Sequence, residues 1–223
     1  MPENPFETRA TEYDAWYEQF PNTFRSELEA IRALLPPVGR WIEIGVGTGR
    51  FAAELGISMG IEPTRAMAEI ARRRGIHVIR GSAERLPLAP GAFDAVFFIT
   101  TLCFVEDLNQ ALLEAFRILV PGGHCIIGIL PHDSLLGQFL DAHKQDDVFF
   151  CLAQLRTRSE IAEALARAGF TIEGTVQTLL GALGEFEMAI QPPQTGPAEG
   201  SFVAIRAIKD STVTAADVVS ADP

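Results

Sequence analysis

The run Trp41-Ile42-Glu43-Ile44-Gly45-Val46-Gly47-Thr48-Gly49 joins a short apolar strand to a glycine-rich turn, with one acidic residue before the turn. Glycines at alternate positions let the backbone turn sharply and approach a ligand where a Cβ would collide. The following Arg50-Phe51-Ala52-Ala53-Glu54-Leu55 opens a helix over that ligand. Together they read as a cradle for a nucleotide-type cofactor. The spacing is Gly-x-Gly-x-Gly, not the Gly-x-Gly-x-x-Gly of dinucleotide binders, and no Lys-Ser/Thr pair follows as a phosphate loop requires. The expected ligand therefore carries no phosphate.

Downstream the chain alternates strand and helix. Ser58 to Glu62 reads as a second strand, Arg65 to Arg74 as a helix stopped by Gly75, and His77 to Gly81 as a third strand. Phe93 to Thr100 is almost continuously apolar, as in a strand covered on both faces. Leu108 to Val120 has helical spacing ended by Pro121-Gly122-Gly123, and His124 to Leu130 supplies a fifth strand. Thr157-Arg158-Ser159-Glu160 has capping-box spacing before a helix that ends at Gly169. A strand begins near Phe170, and Ser201 to Ala207 alternates like a final strand that closes the sheet antiparallel. The class is α/β, a mostly parallel sheet with helices on both faces.

Residues 1–208 are read as one domain, with 1–37 as a helical cap and 209–223 as a loose tail. In the cap, Tyr13, Trp16, Tyr17, Phe20 and Phe24 have approximate helical spacing. Two readings stay open: an amphipathic helix covering the sheet, or an aromatic lid over the ligand. The intervals 131–157 and 174–200, with Phe139, Phe149, Phe150 and Phe186, have room to cover a substrate.

Among 223 residues, 18 basic side chains stand against 29 acidic ones, a net charge of −11. Such a chain repels nucleic acid and anionic membrane, so neither is expected as a partner; a small-molecule substrate is. The start Met1-Pro2-Glu3-Asn4-Pro5 lacks the basic flank and apolar core of a signal peptide, and the apolar stretch from Ala95 to Val105 is far short of the roughly 20 residues that span a bilayer. A cytoplasmic location is expected. Cys103, Cys125 and Cys151 show no Cys-x-x-Cys pairing, which suits reduced thiols and predicts no metal site.

Glu62, at the end of the second strand, stands where an acidic side chain can accept both hydroxyls of a ribose. Glu43, just before the turn, would favour a cationic group by direct or water-bridged contact. At this point the chain resembles the class I S-adenosylmethionine-dependent methyltransferases, in the broad group that includes the ubiquinone/menaquinone-biosynthesis enzymes. The resemblance runs from about Tyr13 to Ala207. It rests on Glu43-Ile44-Gly45-Val46-Gly47-Thr48-Gly49, Gly60-Ile61-Glu62-Pro63, Gly81-Ser82-Ala83-Glu84-Arg85-Leu86-Pro87, Phe93-Asp94-Ala95-Val96 and Arg117-Ile118-Leu119-Val120-Pro121-Gly122-Gly123.

The resemblance implies a Rossmann-like doubly wound sheet and S-adenosylmethionine as cofactor, whose sulfonium, ammonium and carboxylate need no phosphate clamp. It implies that Gly45, Val46, Gly47 and Gly49 hold the methionine portion, Glu62 with Pro63 the ribose, and Ser82, Ala83 and Glu84 the adenine. Ser82 replaces the aspartate common in the family, and Phe104 stands where many relatives have a histidine. Thr100, Thr101, Cys103 and Phe104, after the fourth strand, are expected to face the methyl group, with Tyr13 and Tyr17 as lid or substrate residues.

Methyl transfer is an in-line displacement in which positioning and exclusion of water carry most of the effect, so a base is optional. His132, beside Asp133, is the candidate base, against the plainer reading of a loop histidine. Cys103 is read more simply as a small buried apolar residue than as a ligand to a metalloid. Two other classes compete: a nicotinamide oxidoreductase, disfavoured by the glycine spacing, and a non-catalytic S-adenosylmethionine binder acting as sensor or partner subunit.

Overall fold

The computed structural model describes residues 4–196 and 199–210. Its frame is a seven-stranded sheet: β1 (Trp41–Ile44), β2 (Met59–Glu62), β3 (His77–Arg80), β4 (Phe93–Ile99), β5 (Leu119–Ile129), β6 (Phe170–Thr178) and β7 (Phe202–Lys209). The order is β3-β2-β1-β4-β5-β7-β6. The first five strands run parallel, and β7 is antiparallel to both β5 and β6. This is the mostly parallel sheet anticipated from the alternating pattern, in the Rossmann-like arrangement that the resemblance implies.

The continuous apolar run of β4 follows from its position at the centre, where both faces are covered. Val96 and Phe98 pack into one layer with Leu112 of α6 (Leu108–Ile118) and Ile161 of α8 (Arg158–Arg167). Ala95, Phe97 and Ile99 pack into the opposite layer. There they meet Ile31 of α3 (Pro21–Arg32), Phe51 of α4 (Arg50–Leu55) and Ala68 of α5 (Arg65–Arg73). Phe97 and Phe98 are both fully buried, each stabilising the fold by about 2–3 kcal/mol through area removed from water. The expected capping box is present: Thr157 accepts from the Glu160 N–H while Glu160 accepts from the Thr157 N–H.

Three features differ from the sequence expectation. Pro121-Gly122-Gly123 does not end the helix, because α6 already stops at Ile118 and the triplet lies inside β5 as a bulge. Phe93 pairs with Leu119 and Ala95 with His124, and Gly122 takes a positive φ of 74° to accommodate the extra residues. Lys209, expected in the tail, is the last residue of β7. Its ammonium donates to the carbonyls of Phe116 and Leu119 at 2.6 and 2.8 Å, tying the strand to the carboxyl end of α6, where a cation is favoured. The rest of the expected tail, residues 211–223, lies outside the described residues.

The cap is three helices: α1 (Pro5–Thr8), α2 (Ala10–Gln19) and α3. The aromatic run is divided between two helices at Phe20. Tyr17 and Phe24 pack with Leu28 and Ile31 of α3 into the layer over the sheet, Trp16 and Phe20 are exposed, and Tyr13 with α1 reaches the ligand end of the strands. Helix α7 (Leu135–Ala142) lies in the interval after β5. Among the described residues no helix is long and apolar enough to cross a membrane.

Candidate functional site

A cavity of about 540 Å³ opens at the carboxyl ends of β1 to β4. Backbone from three strand ends forms one side. Gly45 takes φ of 71°, and a Cβ there would collide with the Thr101 side chain. Gly47 takes φ of 54°; its Cβ would meet nothing nearer than the Gly45 carbonyl oxygen at 4.0 Å and would stand in the cavity. Alternating left-handed glycines thus give the space that side chains would fill.

Glu62 is 5% exposed and lines this space. Its two oxygens are aimed by the backbone: Oε2 accepts from the Gly47 N–H at 3.0 Å and Oε1 from the Thr64 N–H at 2.9 Å. Each oxygen keeps further accepting capacity toward the cavity. Burial pushes its carboxyl above the ordinary range, although the Thr64 and Gly47 donors and the Arg80 charge offset part of that shift. Pro63, Ser82, Ala83 and Glu84 continue the wall, and Glu84 Oε1 accepts the Glu106 N–H at 2.9 Å.

At the other end the wall is aromatic. Phe6 of α1, Tyr13 of α2 and Phe104 after β4 line the cavity with Leu152. Phe6 meets Phe104 edge to face at 5.0 Å and Tyr13 at 5.6 Å, and Phe149 packs behind both Phe6 and Tyr13 at 5.4 and 5.2 Å. Edge-to-face pairs of this kind add about 0.5–1.5 kcal/mol each beyond area burial and hold the wall in one shape. The Tyr13 and Tyr17 hydroxyls lie 3.2 Å apart. Burial raises the Tyr13 phenol to about 12, so it stays protonated.

Thr100, between the two ends, has φ of 51°, an uncommon geometry for a β-branched residue and a frequent mark of a functional position. Thr101 Oγ1 donates toward the Gly45 and Ile99 carbonyls. Among the described residues lining the cavity there is no Lys, Arg or His, whereas Glu62, Glu84 and Glu106 all contribute.

Six residues singled out in the sequence stand outside this lining. Val46 packs against Gly60, Gly49 is the first cap of α4, and Tyr17 is buried in the layer behind. Glu43 lies under the turn, 2% exposed, with Oε2 lacking any hydrogen-bond partner. Burial drives its carboxyl well above the usual range, and the Glu62 charge adds to this. Cys103 faces a small separate pocket with Arg156, and burial raises its thiol to about 12. His132 sits 3.4 Å from Asp141 and makes no part of the cavity wall.

Phe6, Glu106 and Leu152 line the cavity without having been anticipated. For Phe6 a signal existed: Asn4 caps its N–H at 3.0 Å and Pro5 occupies the first helical position, a legible helix start. Nothing local marks Leu152, which reaches the cavity from the interval after α7.

The family model described as a methyltransferase domain matches residues 42–127, the span from β1 into β5. A crystal structure from Thermotoga maritima, of an S-adenosylmethionine-dependent methyltransferase described as a "possible histamine N-methyltransferase", is 44% identical, with a TM-score of 0.88, covering 92% of this chain and 98% of that one. The chain belongs to the S-adenosylmethionine-dependent methyltransferases. The methyltransferase is also 38% identical to a protein of Methanocaldococcus jannaschii across 92% of its own length and 99% of the relative's. A Mycobacterium tuberculosis protein shares 34% identity, covering 89% of this chain and 72% of that one.

The cofactor is S-adenosylmethionine, and the residues present suit it. The space over Gly47, the buried acceptor pair of Glu62 and the absence of cations among the described lining residues fit a nucleoside that carries an ammonium and a sulfonium in place of phosphates.

Proposed function

We propose that this methyltransferase acts on a small amine bound against the aromatic wall. The observation that carries the reading is the charge of the cavity: three carboxylates and no cation among the described lining residues. A carboxylate or phosphate acceptor would meet like charge there without a counter-ion. An amine entering as its ammonium gains from the ring faces of Phe6, Tyr13 and Phe104 and from the overall negative charge of the cavity, and the Thermotoga relative's description points the same way.

In this reading Gly45 and Gly47 seat the methionine portion, Glu62 and Pro63 take the ribose, and Ser82, Ala83 and Glu84 border the adenine. Val46, Gly49 and Glu43 support the turn from behind. When bound, the cofactor supplies a methyl group already activated by its sulfonium. Thr100, Thr101, Phe104, Phe6 and Tyr13 orient the acceptor and exclude water, which is the main requirement of an in-line displacement. The ammonium gives up its proton to solvent before the neutral amine attacks the methyl carbon and displaces the sulfonium sulfur as a thioether; the Tyr13 hydroxyl, held protonated by burial, does not accept that proton and can only exchange hydrogen bonds with the acceptor. His132 has no role.

The reading includes a cytoplasmic location and no nucleic-acid partner, supported by free thiols at Cys103, Cys125 and Cys151 and a net charge of −11. It treats residues 1–208 as one catalytic domain.

Formation of S-adenosylhomocysteine against a panel of amines, including histamine, and of carboxylates and phosphate esters tests the acceptor class. Turnover is expected with amines alone; turnover confined to the acidic compounds would reject the proposal.

A further inference from the structure

Asp14 follows Tyr13 on α2 but turns toward the outer side of the glycine turn. Its Oδ1 accepts from Arg50 Nε at 3.0 Å, and its Oδ2 from Arg50 Nη2 at 2.7 Å and Arg74 Nη2 at 2.6 Å. Arg50 opens α4 immediately after Gly49, and Arg74 follows α5. The other end of the Arg74 guanidinium, Nη1, donates to the Thr48 carbonyl at 2.7 Å. Thr48 is the residue between Gly47 and Gly49 and is 2% exposed.

The glycine turn is therefore gripped from two sides. From the cavity side Glu62 accepts the Gly47 N–H, and from outside Arg74, itself aimed by Asp14, donates to the next carbonyl. Between the two contacts lies Gly47, one of the left-handed glycines whose geometry opens the cavity, with left-handed Gly45 and Gly49 on either side. The helix that carries Asp14 also carries Tyr13 of the aromatic wall, and α1 before it carries Phe6. A second clamp fixes that end: Glu7 Oε2 accepts the Arg65 N–H at 2.9 Å at the start of α5.

We propose that Asp14 is a positioning residue that couples the aromatic wall to the glycine turn, so that docking of residues 5–19 and ordering of the cofactor seat occur as one event. The inference rests on the reading that this cavity is the methyl-transfer site. Its physical basis is bidentate, charge-assisted hydrogen bonding from two guanidiniums to one carboxylate, an arrangement that a neutral amide cannot reproduce. Burial pushes the Asp14 carboxyl up, but Arg50 and Arg74, with help from the Thr48 hydroxyl, outweigh it and hold the group at about 2. The clamp stays charged at neutral pH. Glu18, which also accepts from Arg50 at 2.9 Å, is exposed and cannot replace it.

The coupling predicts that a ligand in the cavity is felt in the N-terminal helices only while Asp14 is charged. Amide hydrogen exchange and calorimetry on the full chain, with S-adenosylhomocysteine as the probe, measure this. In the wild type the probe should slow exchange across residues 5–19. In Asp14→Asn that ligand-dependent slowing should vanish and the Kd should rise by about tenfold or more, the scale of losing a hydrogen bond to a charged group. A variant that binds within twofold of wild type and shows the same slowing would overturn the inference while leaving the site intact.

A residue that merely props α2 would lower Tm without erasing the ligand-dependent slowing, and that result also overturns it. Wild type that fails to bind the probe would strike at the site itself. Arg74→Gln leaves the Asp14–Arg50 pair in place and covers the case in which Asp14→Asn does not fold. It should weaken the probe about fivefold or more, and unchanged affinity would count against the coupling.

Discussion

In the proposed reading the cavity has a cofactor end and an acceptor end, and the two are built in opposite ways. The cofactor end is made of short contiguous segments, Gly45 to Gly49, Glu62 to Thr64 and Gly81 to Glu84, each directly after a strand. Its working parts are backbone N–H groups, empty space over glycines and one aimed carboxylate. The acceptor end is made of ring side chains from α1, α2, the segment after β4 and the interval after α7. Parallel strands bring the first set together automatically, whereas the second exists only because distant segments dock on one another.

If this contrast is right, the two ends should fail differently. The largest effect is expected for Gly45→Val, which puts a β-branched residue at φ of 71° and into Thr101. Binding of S-adenosylmethionine should fall by about 100-fold or more, at or above the upper end of the roughly 1–3 kcal/mol of ordinary backbone strain because the collision adds to it. Calorimetry alongside circular dichroism checks it, and near-wild-type affinity would remove the glycine turn from the site.

Glu62→Ala should weaken the same binding by about 1–3 kcal/mol, since it removes an acceptor of charged-group strength and releases the Gly47 N–H. Phe6→Ala sharpens the comparison from the other side. With an amine substrate from the acceptor panel, KM should rise by about threefold to tenfold, matching the loss of its ring contacts at roughly 0.5–1.5 kcal/mol, while cofactor Kd stays within twofold. Phe6→Ala leaves the Asp14 clamp and the docking of α2 in place, so equal losses for cofactor and acceptor would mean that the ring itself, and not only the clamp, supports the cofactor end.

The smallest effect concerns the layer behind both ends. Glu27 is 4% exposed, and burial raises its carboxyl to about 8. An acid whose folded pKa lies above its unfolded value of roughly 4.3 binds a proton on folding, so stability falls as pH rises from about 4 to 8. Glu27→Gln should therefore leave stability nearly unchanged at pH 5 and raise it at pH 8.5 by about 1 kcal/mol, an ordinary single-site effect that corresponds to about 2–4 °C in Tm. Thermal melts at the two pH values decide it; destabilisation at pH 8.5 would show that the charged form has a partner.

Much of the cavity wall assigned in the proposed reading to the cofactor was legible because its signals are local. Glycine spacing, an acidic residue at a strand end and the central run Phe93 to Thr100 depend on neighbours in sequence, and the sheet converts that order into proximity. Legibility failed where a partner comes from far away. Helix α3 starts at Phe20, a poor cap, yet Glu187 accepts from the Asn22 and Thr23 N–H groups at 2.8 and 3.0 Å across the fold. Phe186, read as room for a substrate cover, is buried in the layer under α3, whereas Phe149 from the other interval backs the acceptor wall. His132 and Cys103 carried plausible chemistry, but their backbone directions send them to Asp141 and to a separate pocket.

By itself, then, the amino-acid order determined the α/β class, the glycine turn after β1 and the acidic residue Glu62 at the end of β2, because strand, turn and helix signals act over a few residues and parallel strands align their ends. Only the tertiary structure decided that Phe6 and Tyr13 form a wall with Phe104, that Asp14 reaches Thr48 through Arg74, and that Glu43 lies beneath the turn. Those outcomes depend on which helix faces dock and on whether each buried charge finds a counter-charge, and such pairings are set across the fold.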